Sequence, residues 1–434
     1  MRIVQLANAY SSTSGGLRTA VDRLGHGYAA AGHERVLVVP GREWAVRHTP
    51  AGMTVTVPST KVGNGYRLIL RTGVVERLLE RLRPDVIEVS DKYTLTAVAG
   101  WAERNGVGAV LFSHERLDAI IPAHMPRTCG SPAAKAAIRA WNQRVATRFD
   151  AVVVTSQFAE HEFTGLKVRS LRRVPLGVDL ELFHPQEAVE HEGIRLAYAG
   201  RLSQEKNVGL AIAAVKELAH AGHDVQLDVY GTGTAQAELH RAAKGLPVVF
   251  HGHLADRPLL ASRLAAADVV LAPCLVETFG LSVLEALACG TPVVAASGGA
   301  SGELLGAAAG AVAPPTALGM AQGVLEVLSR PEPERRAAAR LQAELHPWSR
   351  SVEEMLDVHE HVAASAGVRP ITAKTKSKTK AERAAKPETK AERAAKPKPE
   401  RKTKTKTKVK VKLKADAGTG SLRRETSRSQ APAA

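Results

Sequence analysis

Two carboxylates and two cations carry most of the chemistry this sequence offers. Glu277 and Glu285 are separated by seven residues in the run VETFGLSVLEALACGT, residues 276–291. Glu277 precedes a nearly apolar helical stretch. Glu285 lies inside it between Leu284 and Ala286, where burying an unpartnered carboxylate is costly, so a polar partner is expected. Arg201 and Lys206 share the segment RLSQEKN, which follows the strand-like IRLAYAG and opens a helical run. Two cations at a helix entrance suit a diphosphate, the arginine as a fork of donors and the lysine as a point charge. A loop salt bridge from Lys206 to Glu205 is the purely structural alternative.

The elements around these residues read as α/β. ADVVLAP (267–273) is a buried strand, the helical run stops at Gly290, and Thr291-Pro292 leads into the strand-like VVAA. In open α/β sheets ligands sit beyond the carboxyl ends of strands, and helix N-termini offer free N–H groups to anions. Phe279, Gly280 and Leu281 occupy such an entrance. At the start of the chain, the strand RIVQLA and the loop NAYSSTSGG lead into a helix over 17–32, and Gly15 and Gly16 form either a simple turn or a close backbone approach to a phosphate. Strand and helix patterns then alternate to about residue 156, which implies a mainly parallel, doubly wound sheet. Ser90-Asp91 and Ser113-His114-Glu115 follow strand ends, and His114 is either a structural hydrogen-bonder or a site residue. Residues 66–82 read as a basic amphipathic helix, with Arg67, Arg71, Arg77 and Arg81 interleaved among leucines and valines. Such a helix packs on the sheet or lies on an anionic membrane surface.

Charge is unevenly spread. The chain of 434 residues holds 59 Lys+Arg against 43 Asp+Glu, but residues 370–434 hold 21 against 6, leaving 38 against 37 for the rest. The tail repeats TKAERAAKP, runs on as KTKTKTKVKVKLK, and has too few apolar residues to bury a core; it is expected to be disordered, with salt-dependent affinity for anionic lipid or, nonspecifically, nucleic acid. Three cysteines without metal-ligand spacing fit reduced core thiols and a cytoplasmic setting. The start RIVQLA reads as a strand and not as a secretory leader, and with no run of 18 apolar residues the chain is expected neither to be secreted by a classical signal nor to span a membrane.

The Glu277 and Glu285 spacing, with its ETFGL start and ACGTPVVA end, resembles the Glu-x7-Glu signature of family-4 retaining glycosyltransferases. SGGLRTAVDRLG, AGRLSQEKN and VPLGVDLELFHP resemble the family's glycine loop, pyrophosphate loop and interdomain connection, and the likeness covers residues 1–364. The resemblance implies the GT-B fold, two Rossmann-like doubly wound domains facing a cleft. It implies an acceptor-side domain at 1–180, a nucleotide-sugar domain at 190–346, and a helix at 347–364 returning to the first domain. It also implies roles: Glu277 on the donor sugar, Glu285 on the ribose, and Phe279, Gly280 and Leu281 amides on sugar and phosphate. Gly15 and Gly16 would face the sugar-phosphate, Arg201 and Lys206 the diphosphate, and His114 the reacting centre. Arg67, Arg71, Arg77 and Arg81 would form the membrane side.

RIVQLAN, EVSDKYTLT and SHERLD make the sequence most similar to actinobacterial GDP-mannose-dependent α-mannosyltransferases acting on phosphatidylinositol mannosides or related glycolipids. The implied reaction needs no cofactor or metal, in keeping with the lack of any Asp-x-Asp. The implied location is the inner face of the plasma membrane, as a peripheral protein. Two alternatives stay open: another nucleotide-sugar transferase with a small-molecule or polysaccharide acceptor, and a noncatalytic nucleotide-sugar-binding scaffold with a polyanion-binding tail.

Overall fold

The structure, a computed structural model, describes residues 1–10, 15–63, 66–124, 131–187 and 191–367. The Lys-rich tail expected from residue 370, and Cys129, lie outside the described residues. Short runs rich in valine, isoleucine and leucine form the strands, because branched side chains pack well on a pleated, covered surface. The first set is β1 (Arg2–Leu6), β2 (Glu34–Gly41), β3 (Ala45–Thr49), β4 (Gly52–Pro58), β5 (Thr60–Gly63), β6 (Tyr66–Leu68), β7 (Val86–Val89), β8 (Gly108–Ser113), β9 (Ala151–Val154) and β10 (Leu171–Arg173). Eight make one sheet in the order β10-β9-β8-β7-β1-β2-β4-β3, and β5 and β6 make a separate hairpin. Neighbours in the large sheet are parallel except β3 against β4. Side chains alternate between two cores: on β8, Val110 and Phe112 enter one, while Ala109 and Leu111 enter the other.

The second set is β11 (Ile194–Ala199), β12 (Val225–Tyr230), β13 (Val248–Gly252), β14 (Val269–Ala272), β15 (Val293–Ala296) and β16 (Gly310–Ala313). All pair in parallel, in the order β13-β12-β11-β14-β15-β16. The chain winds one way from β11 and the other way from β14, so the loops after these two strands diverge and leave a crevice between them. In the first sheet the same divergence falls between β1 and β7.

Two chain segments pass between the sheets, and they run side by side. Val178 bridges Pro347, and its N–H donates to the His346 carbonyl at 2.9 Å. Gly177 permits this approach, because a Cβ there would stand 2.5 Å from the Trp348 nitrogen. The helix Trp348–Gly367 then packs on β8 and on the helix Gly15–Ala30. Its fully buried His359 places Nε2 3.2 Å from Glu88 Oε2 on β7. Glu88 also accepts from Gln5 at 2.9 Å and Tyr28 at 2.9 Å, and Arg35 donates to Gln5 at 2.8 Å. Burial pushes the Glu88 carboxyl up, but the bonds from His359, Gln5 and Tyr28 prevail and hold it below its ordinary value.

One expected element is corrected. The amphipathic helix does not begin at residue 66 but at Thr72 and runs to Leu82. Arg67 instead lies on strand β6, half-buried, and donates to the Ser59 carbonyl at 2.6 Å. Arg71 is the cap residue before the helix, and Arg77 and Arg81 are exposed on it. Tyr66, Arg67 and Leu68 pair instead with Gly63, Lys61 and Thr60 of β5, and this strand pairing takes the place of the helix before residue 72. Among the described residues no helix is long and apolar enough to cross a membrane.

Candidate active site

The crevice of the second sheet holds the predicted cation and carboxylate together. After β11 the chain makes a short 3-10 turn, Gln204–Lys206, and enters the helix Val208–His220 through Asn207 at φ 52°. The Asn207 amide donates to the Pro273 carbonyl at 3.3 Å, and Cys274 Sγ donates to the Glu205 carbonyl at 3.1 Å. These bonds set the loop after β11 against the loop after β14, and Lys206 Nζ meets Glu277 Oε2 at 2.5 Å. Lys206 therefore pairs across the crevice with Glu277. Burial lowers the Lys206 pKa, but the Glu277 charge more than offsets it, and the ammonium is held charged. Burial pushes the neighbouring Cys274 thiol up to about 11, so it is neutral at pH 7. Arg201 is exposed at the start of this loop, its carbonyl accepting from Tyr198 Oη at 3.1 Å.

The helix Leu281–Ala288 starts directly after Glu277's loop. Its cap residue, Gly280, has φ 103°, a left-handed conformation that side chains disfavour. Phe279 buries its ring edge-on to His346. From the first domain, the start of the helix Gly15–Ala30 approaches closely: a Cβ on Gly16 would stand 3.6 Å from Leu281 Cδ1. The starts of these two helices thus meet, and free N–H groups at helix N-termini favour an anion. Glu285 lies one turn deeper. It is buried, and Arg257 Nη2 meets its Oε1 at 2.6 Å, supplying the expected partner. The Arg257 guanidinium also stacks over Phe183 at 4.9 Å. Burial raises the Glu285 pKa against the pull of Arg257. Its side chain shares a small cavity with Thr19, Arg23, Asp179 and Leu281.

On the first domain's side, β1 and β7 end at a second cavity, lined by Asn8, Leu17, Leu68, Asp91, Tyr93 and His114. Asn8 holds its wall, accepting from Ile69 N–H at 2.8 Å and donating to Asp91 at 3.1 Å and Thr94 at 2.5 Å. Asp91 accepts the N–H groups of Tyr93, Thr94 and Leu95 at 2.8 to 3.0 Å. His114 Nε2 lies 3.3 Å from Ser90 Oγ, and its ring packs on Phe112. Burial lowers the His114 pKa to about 4, so the imidazole is neutral at pH 7. Behind it, Lys92 forms a buried ion pair with Glu162, which also accepts from Asn142 at 3.0 Å.

The structure therefore pairs Lys206 with Glu277 and sets Gly16 against Leu281, and Thr278 ties the Glu277 loop to the main-chain carbonyl of His114. It sets Glu285 in the neighbouring cavity and leaves Arg71, Arg77 and Arg81 on the first domain's surface. Arg257, Asn8 and the Lys92–Glu162 pair have no sequence signal: each is an ordinary residue until the fold closes a distance of tens of positions.

Residues 15–178 match the family described as Glycosyl transferase 4-like domain, and residues 193–330 match Glycosyl transferases group 1. The chain is 43% identical over 367 residues to the GDP-mannose-dependent alpha-(1-6)-phosphatidylinositol dimannoside mannosyltransferase of Mycobacterium tuberculosis, covering 82% of this chain and 95% of that one. The chain belongs to the family-4 glycosyltransferases. The glycosyltransferase is also 28% identical over 361 residues to D-inositol 3-phosphate glycosyltransferase 1 of Catenulispora acidiphila, covering 75% and 82% of the two chains. Its fold is that of sucrose-phosphate synthase from Thermosynechococcus elongatus, with a TM-score of 0.70 at 20% identity over 84% of this chain and 100% of that one. The two-sheet GT-B architecture expected from the motifs is thus the one found.

Proposed function

We propose that this glycosyltransferase moves a mannosyl group from GDP-mannose to a phosphatidylinositol mannoside or related glycolipid, with retention at the anomeric carbon. The observation that carries this reading is the 43% identity, across nearly the full length, to a relative whose name states that donor and that acceptor class. The donor lies in the crevice of the second sheet. Leaving-group charge develops on its diphosphate, and Lys206, Arg201 and the N–H groups at the start of the helix Leu281–Ala288 stabilise that charge. Glu277 accepts from donor-sugar hydroxyls, and Glu285, fixed by Arg257, accepts from the ribose. Gly15 and Gly16 let the first domain's backbone reach the sugar-phosphate.

The acceptor hydroxyl enters from the cavity beside His114, whose neutral imidazole can donate or accept a hydrogen bond without adding charge. The exposed Arg71, Arg77 and Arg81 face an anionic membrane, with the protein peripheral on its cytoplasmic side, and the basic tail adds salt-dependent attraction. Protein cations take the part that a divalent ion plays elsewhere, so no metal or other cofactor is needed.

The deciding experiment supplies purified protein with radiolabelled GDP-mannose and extracted inositol phospholipids, with UDP-glucose and soluble inositol phosphate as the competing donor and acceptor. Label in a lipid product from GDP-mannose alone is the expected result, and it should persist in EDTA. Transfer only from the uridine donor, or only to the soluble acceptor, would overturn the reading.

A further inference from the structure

One set of contacts between the two domains converges on Thr278, the residue after Glu277. Its main-chain carbonyl accepts from Thr155 Oγ1 at 2.8 Å and from Ser156 Oγ at 2.6 Å, the two residues that follow β9. Its own hydroxyl donates to the main-chain carbonyl of His114, which follows β8, at 2.8 Å. Two further bonds lie nearby: the Glu303 carboxylate accepts the N–H groups of Gln157 and Phe158 at 2.7 and 2.6 Å. The segment carrying Glu303 is itself tied to the site, since Ala300 N–H donates to the Glu277 carbonyl at 2.8 Å.

We propose that Thr278 is a positioning residue for the transfer, clasping the first domain so that cleft closure and the placement of Glu277 relative to His114 are one event. Glu277 belongs to the donor's domain and His114 to the acceptor's. Transfer requires the sugar carbon on one domain and the hydroxyl oxygen on the other to approach to roughly 3–3.5 Å, and a displacement of about 1 Å costs on the order of 100-fold in rate. The Thr278 hydroxyl joins the two loops directly, because it bonds the main chain of His114 while the adjacent residue bonds Lys206. A main-chain anchor is not free to change rotamer, so the bond fixes the loop as well as the side chain. A loosened clasp leaves the activated donor open to water. The bond from the anomeric carbon to the phosphate oxygen then breaks as before, but a water oxygen replaces the acceptor oxygen, giving free sugar and nucleoside diphosphate.

The test compares Thr278→Val, which keeps the shape and loses the hydroxyl, with Thr278→Ser, which keeps it. With GDP-mannose and lipid acceptor, the valine variant should lose about 10- to 100-fold in kcat. Its donor KM should stay within about twofold, and free mannose should rise relative to transferred mannose; serine should restore both readouts. Distance between fluorophores on the two domains, measured with GDP present, should lengthen for valine and not for serine. Wild-type kcat and partition in the valine variant, or a serine variant as impaired as valine, would overturn the clasp. The kinetic arm rests on the donor reading above. Wild-type protein inert with GDP-mannose counts against that reading, and the fluorophore distances then decide the clasp alone, equal values in wild type and valine overturning it.

Discussion

At the residue scale, on the proposed reading, the site places charge where a leaving diphosphate would carry it. Lys206→Ala and Arg201→Ala should each lower kcat by about 100-fold or more at saturating donor, roughly the effect of removing one charge-stabilising donor. Glu277→Ala should do the same by a different route, losing both the sugar contact and the group that holds Lys206 in the crevice. Near-normal kcat in all three variants would remove these residues from the site. His114 makes a prediction about pH. Its folded pKa of about 4 lies below the ordinary 6.5, so folding favours the neutral ring. Its contribution to stability is complete above pH 6.5 and is lost as pH falls from there through about 4. Titration of the His114 ring protons by NMR should give a midpoint near pH 4, and a midpoint near 6.5 would mean that the ring is solvated. The motif residues were legible in the sequence because chemistry ties them to fixed spacings along one loop and helix. Arg257 was not, because the partner of Glu285 is chosen by how the helix Arg257–Ala265 packs, and no local pattern encodes that.

At the element scale, the alternation of strands and helices was readable because buried parallel strands are continuous apolar runs. β3 escaped notice because four of its five residues are exposed and no apolar alternation marks it. β6 escaped because its three residues blend into the leucine spacing of the helix that follows. The corrected helix, Thr72–Leu82, buries Val75 and Leu79 and turns Arg77 and Arg81 outward. Replacing Arg77 and Arg81 together with Glu should therefore weaken cosedimentation with anionic vesicles and impair use of a lipid acceptor, while sparing transfer to a soluble one. Deleting residues 370–434 should reduce vesicle binding mainly at low salt. Loss of soluble-acceptor transfer on that deletion would make the tail part of the catalytic unit. At the interdomain crossing, Gly177→Ala drives a methyl group against the Trp348 backbone and should cost about 1–3 kcal/mol, read as a lower Tm.

At the scale of the whole molecule, the last helix belongs to the first domain, and a buried polar network fastens it there. Removing one partner of such a network costs about 3–5 kcal/mol, so Glu88→Gln should destabilise strongly at neutral pH. Because the Glu88 pKa lies below its ordinary 4.5, the stability it confers is present above pH 4.5 and lost as pH falls through the lower folded value. The gap in Tm between Glu88→Gln and wild type should accordingly narrow below pH 4.5, and a constant gap would rule out an ionised Glu88. The same helix has a consequence for biosynthesis. His359 is translated about 270 residues after Glu88. At about 5–20 residues per second the ribosome needs on the order of 15–50 s to cover that interval. Until the helix Trp348–Gly367 emerges, the face of β8 that it covers stays open, and Glu88 lacks its His359 partner. The first domain therefore begins to emerge before the second but is completed only after it, when the helix Trp348–Gly367 arrives.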